Sequence, residues 1–149
     1  AGAASASGSA AASGAAASGT EGAVTLKVGA SPSPHAEILE HAAELLAAEG
    51  IEAEVIDAFS VKPLDEETIL ASVGKTGCVA VAEEHSVMGG LGSAVAETLA
   101  RELPTPVEFV GMRDMFGKSG EFEELMGYFA LDASAIVEAV KNVIARKQV

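Results

Sequence analysis

Glu83, Glu84 and His85 run straight into Ser86-Val87-Met88-Gly89-Gly90-Leu91-Gly92. No other stretch of the chain gathers so many residue types suited to chemistry. A histidine beside a carboxylate is a reasonable proton carrier near neutral pH. Glycines at the start of a helix leave backbone N–H groups open to phosphate or carboxylate. Two chemistries are therefore on offer: acid–base work by His85 with Glu83 or Glu84, and anion binding by Gly89, Gly90 and Gly92.

Neither pattern is complete. Gly90 and Gly92 match the first two glycines of the dinucleotide-binding spacing, but Val95 holds the third position. No Gly-Lys-Ser or Gly-Lys-Thr is present, and two adjacent carboxylates repel phosphate. On the acid–base side, no nucleophile, metal cluster or oxyanion partner accompanies the histidine. Along a strand Glu83 and His85 share one side while Glu84 points to the other. The residues favour a structural turn whose charged triplet marks an exposed rim. Glu83, His85, Gly89, Gly90 and Gly92 are its binding or interface candidates, together with His35 at the head of another predicted helix. No catalytic or metal-ligating residue is assigned.

The elements that position this turn follow from periodicity. Residues 24–30 read as a β-branched strand, and 51–59, 78–84 and 106–112 as three more. Residues 78–84 lack polar alternation, which predicts burial on both faces. Helical spacing marks 35–50, with a stripe of Ile38, Leu39, Ala42, Leu45 and Leu46. Ser33 and Pro34 suit its start and Gly50 its end. Asp65 is a cap candidate for a second helix in which Ile69 and Leu70 face a core. Residues 90–103 form a third, stopped by Pro104, and 121–129 a short fourth. Asp132 caps the last, whose stripe is Ile136, Val137, Val140, Val143 and Ile144. Alternating β and α units predict a three-layer α/β/α sandwich around a mostly parallel four- or five-stranded sheet.

Composition narrows the class. The 149 residues suffice for one domain, 22–149, after an Ala/Ser/Gly segment over 1–21 that reads as a disordered linker. The chain starts with Ala, as a processed product or an excised piece would. Asp plus Glu number 22 against 9 Lys plus Arg, a formal charge of -13. That surface disfavours nucleic acid and anionic lipid, and no apolar run nears the roughly 20 residues of a bilayer span. Cys78 stands alone in an apolar run, as a small buried side chain. His41 sits among acidic neighbours on a predicted solvated face.

VIDAFSVKPLD, EEHSVMGGLGSAVAE, VEFVGMRDMFGKSG and LDASAIVEAVK resemble, in order and spacing over about 43–147, the C-terminal domain of transketolase-like, thiamine-diphosphate-dependent enzymes. The likeness is greatest to the C-terminal part of separate-subunit transketolases. It implies four parallel strands and one antiparallel strand, and a cytoplasmic architectural and dimer-interface domain. It further implies pyrimidine- and pyrophosphate-binding domains as partners, and homodimerisation. Thiamine diphosphate and a divalent metal are implied for the parent enzyme, with none held by this chain alone.

Two departures stand out. The family's leading antiparallel strand has no counterpart beyond Glu21-Gly22, and VGASPSPHAEILE replaces the family's Gly-Ser-Glu type turn. Residues 24–40 instead resemble methionine-binding lipoproteins. The alternatives are therefore a small-molecule module for an amino acid or sugar phosphate, and a chimeric or designed domain.

Overall fold

A computed structural model describes residues 24–28 and 35–147. The expected linker over 1–21, and the Ser33–Pro34 helix start, lie outside the described residues. The elements are β1 (Val24–Val28), α1 (His35–Ala48), β2 (Ala53–Asp57), α2 (Glu66–Thr76), β3 (Val79–Ser86), α3 (Leu91–Glu102), β4 (Val107–Met112), α4 (Phe122–Tyr128) and α5 (Ala133–Lys147). The strands form one sheet in the order β2-β1-β3-β4. Every pairing is parallel, with Leu26 opposite Val55 and Ala80, and Val81 opposite Phe109. Among the described residues the sheet thus has four strands and lacks the antiparallel fifth.

β3 divides the core. Cys78, Ala80 and Ala82 pack with Leu39, Ala42 and Leu46 of α1 and Ile136, Val140 and Val143 of α5. Val79 and Val81 pack the other way, with Ile69 and Val73 of α2 and Val95 and Leu99 of α3. A strand buried on both faces needs no polar alternation, and the expectation for 78–84 is met over 78–82, beyond which Glu84 is exposed. Full burial of Leu46, Ile69 or Leu99 contributes about 1.5–3 kcal/mol per side chain. Leu45 departs from its predicted stripe and is 36% exposed, outside the core that α1 forms with α5.

Helix ends follow local chemistry. Asp65 Oδ1 accepts the Thr68 N–H at 3.1 Å, and Asp132 Oδ1 accepts the Ala135 N–H at 2.9 Å, so both predicted caps form. At the end of α1, Gly50 N–H donates to Ala47 O at 3.0 Å and Ile51 N–H to Leu46 O at 2.9 Å. This is the paired closure that needs a left-handed residue, and Gly50 has φ +80°. β2 is shorter than periodicity suggests, while β3 runs two residues past its expected end to Ser86. Residues 51–52 and 58–59 fall outside β2, since apolar residues continue into both flanking loops.

The β4 edge of the sheet is closed by arginines. Pro106 O faces β3, where it accepts the Val79 N–H, so the carbonyls of Val107 and Phe109 face outward. Arg146 donates to Val107 O at 2.8 Å and Arg113 to Phe109 O at 3.3 Å. Capping of this kind blunts an edge strand against further pairing.

Candidate functional site

β3 carries Glu83 and His85 past the end of its buried stretch, and both point to the α2/α3 side as strand alternation predicts. The turn then reverses the chain so that α3 starts directly over Glu83. Glu83 Oε2 accepts the Leu91 N–H at 2.7 Å, and Oε1 accepts the Gly92 N–H at 2.9 Å. With its side chain 9% exposed, Glu83 supplies the carboxylate that the helix start attracts. Among the described residues no other side chain caps α3, whose preceding residue is Gly90.

The glycines make this approach possible. A Cβ on Gly90 would run into the Glu83 carboxyl group, 2.7 Å from its Cδ, and one on Gly92 would lie 2.5 Å from Phe109 Cδ1. Gly89 has φ +81°, a left-handed turn that costs a glycine little. Its N–H donates to Ser93 Oγ at 2.8 Å, and Ser93 Oγ donates to Val87 O at 3.2 Å. The turn is thus bonded to itself, and its anion slot is filled from within the chain.

His85 lies outside this network. Its side chain is 65% exposed and its Nδ1 is 4.0 Å from Glu83 Oε2, beyond hydrogen-bond reach. Nδ1 sits 2.9 Å from Ser86 O, and because a carbonyl oxygen only accepts, Nδ1 is the donor. Glu84 is exposed on the opposite side of the strand. Glu83 and His85 therefore share a side without forming a proton relay.

His35 is the first residue of α1, and residues 29–34 before it lie outside the described residues. β1 and β3 are parallel neighbours, so the carboxyl ends of the two strands lie at one edge. His41 is a solvated side chain, 62% exposed and 3.9 Å from Glu44. Cys78 is fully buried, and burial pushes its thiol up from the ordinary range, with Lys147 partly opposing.

Among the described residues no group of three or more His, Cys, Asp and Glu could hold a metal ion. No helix there is long and apolar enough to cross a membrane. A thiamine diphosphate with its metal does not fit these residues. The glycine-lined helix start, the natural seat for a diphosphate, already holds the Glu83 carboxylate.

Sequence reasoning saw Glu83 as a partner of His85 and missed its bond to the helix start. The available signal was a helix opening on Gly-Leu-Gly, with no Ser, Thr, Asp or Asn to cap it, just after a strand-end carboxylate. The edge-capping Arg146 left no local signal, because its acceptors on Val107 and Glu108 lie far back in the chain.

A family profile described as "Transketolase, C-terminal domain" matches residues 31–136. A 6-deoxy-6-sulfo-D-fructose transketolase subunit of Clostridium sp. (strain MSTE9) is 51% identical over 106 residues, covering 71% of this chain and 33% of that protein. 1-Deoxy-D-xylulose-5-phosphate synthase 1 of Geobacter sulfurreducens is 44% identical over 108 residues, covering 71% of this chain and 17% of that protein. The chain therefore spans a third or less of the length of these relatives. A solved structure described as "Split gene transketolase, inactive beta4 tetramer" aligns with TM-score 0.77 and 42% identity, covering 85% of this chain and 40% of that one.

Proposed function

Because the chain belongs to the transketolase C-terminal domain family, we propose that it is the architectural and interface domain of a transketolase-type enzyme and does no chemistry by itself. The carrying observation is the Glu83 carboxylate on the start of α3, which occupies the place where an anionic ligand would sit. Glycines that resemble a phosphate loop then serve a strand-to-helix handover.

On this reading the partners are pyrophosphate- and pyrimidine-binding domains, on the same or separate chains, and the assembly is a cytoplasmic homodimer. Thiamine diphosphate and a divalent metal belong to those partners. His85, exposed near the end of β3, and His35 at the head of α1 are interface candidates on the carboxyl edge. The test is to mix this chain with the two missing domains of a split transketolase, with thiamine diphosphate and magnesium, and follow ketol transfer. Activity is expected in the mixture alone. Turnover by the isolated chain would sink the reading.

A second reading draws on the adjacency of β1 and β3: a small polar ligand held at the carboxyl edge where the two strands end. Calorimetry with methionine and with sugar phosphates tests it, and no heat with either rejects it.

A further inference from the structure

The loop that leaves β4 is strung past a cavity. A space of about 450 Å³ lies between the edge of β4, the end of α4 and one side of α5, with Val110, Met115, Tyr128, Phe129, Ala135 and Ala139 in its lining. Met115 belongs to the loop itself. Three residues on, Lys118 Nζ rests 4.3 Å from the centre of the Tyr128 ring. Phe116 stands between these two points of contact, yet it is 99% exposed. A phenyl ring left in water beside an apolar recess is the anomaly that needs a cause.

The loop is held lightly. Among the described residues, no backbone hydrogen bond outside the regular elements involves residues 113–120. Its anchors are side chains. Arg113 donates to Phe109 O at 3.3 Å and lies 3.9 Å from Glu108, and Lys118 rests on Tyr128. Asp114 has φ +45°, a left-handed backbone that a residue with a side chain holds at some cost. Gly117 follows Phe116 and supplies permissive backbone on the other side.

We infer that residues 113–121 form a strap with two nearly balanced states: the open one of this structure, and a closed one in which the Phe116 ring enters the cavity beside α5. Rotation about Asp114 and Gly117 exchanges Met115 for Phe116 at the cavity. Burial of the ring favours closure. Loss of the exposed cation–π contact at Tyr128 and ordering of the strap oppose it, and these effects are of one order. Charge does not forbid the closed state. Glu108 in the β4 wall is bonded to Arg146 at 2.9 Å, and Glu138 on α5 is exposed, so the ring need not strip water from a lone buried carboxylate. Near balance, the closed state adds little to folding stability. What it changes is whether Phe116 is on show. The purpose of the device rests on the interface reading above: a partner that takes up Phe116 binds the open state and draws the strap towards it, while closure sheathes the ring in the free chain.

Proton NMR of the full free chain tests the strap. NOEs from the Phe116 ring to the Ala135 or Ala139 methyl are expected, together with an upfield ring-current shift of that methyl which disappears in Phe116→Leu. Lys118→Met keeps the apolar stem and removes the cation. It should raise the closed-to-open ratio about two- to fivefold and move the methyl signal further in the same direction. Lys118→Arg keeps the cation and should not. Absence of the NOEs in both the unaltered chain and Lys118→Met overturns the inference, as does an equal methyl shift in Lys118→Met and Lys118→Arg. If the NOEs appear while the mixture with the missing domains shows no ketol transfer, the strap stands and the proposed function fails. Ketol transfer in the mixture without the NOEs in the free chain overturns the strap and leaves the function standing.

Discussion

The turn after β3 and the loops after β2 and β4 share one edge of the sheet and use it in opposite ways. The end of β3 holds the carboxylates and the histidine, the turn after it holds the glycines, and the two close on each other. Glu83 bonds two N–H groups of α3, and Ser93 ties Gly89 to Val87. The flanking loops hold little that looks reactive, yet they present Phe59 and Phe116 to solvent. The contrast shows that polar residues gathered in a turn can be satisfied by one another. Exposed aromatic residues have no such polar outlet and point to a partner or to an apolar recess.

The sharpest way to break this comparison is to open the closed turn. Glu83→Ala leaves the Leu91 and Gly92 N–H groups without their carboxylate, and loss of charge-assisted bonds in a mostly buried place should cost about 2–4 kcal/mol in urea unfolding. Glu84→Ala, one residue on and exposed, should stay within about 0.5 kcal/mol. Equal effects at the two positions would deny the turn its internal carboxylate.

Next comes Gly90→Ala, whose Cβ collides with the same carboxyl group. Overpacking should destabilise by about 1–3 kcal/mol. Because the clash requires Glu83, the penalty should shrink in the Glu83→Ala background, and a double-mutant cycle reads that coupling. Additive effects would show that the two residues act independently.

A smaller effect belongs to Cys78, on the core side of the same strand. Burial raises its thiol pKa in the folded state, so folding disfavours the thiolate. Its stabilising contribution is complete below the ordinary thiol range and fades as pH rises through the raised folded value. Stability measured against alkaline pH should therefore fall less steeply in Cys78→Ala. Identical slopes would mean the thiol is not desolvated.

The smallest effects are expected on the outward side. His85→Ala and Phe116→Ala should each change monomer unfolding by less than about 0.5 kcal/mol, because both side chains face solvent. A large loss at Phe116 would place it in the monomer's core and cancel the contrast between the loops.

Much of this organisation was legible in the residues themselves. Three-residue and four-residue spacing located α1 and α5, and an unbroken apolar run located β3, because each pattern reflects a face that the element must bury. Asp65, Asp132 and Gly50 marked helix ends through bonds made within a few residues. Harder to read was anything joining distant segments. Glu83 meets its acceptor-seeking N–H groups eight and nine residues later, only after the chain has turned. Leu45 kept helical spacing but lost its cover, since burial depends on where α5 lies.

The linear pattern alone determined an acidic, alternating β/α chain whose short-range chemistry starts and stops its elements. That information is local, carried by backbone preferences and by the period of apolar residues. Tertiary structure alone decided that β1 lies between β2 and β3, that Arg113 and Arg146 cap the β4 edge, and that the carboxylate beside His85 bonds a helix. Such pairings depend on where the elements pack rather than on a fixed period along the chain, so no spacing rule encodes them until the sheet forms.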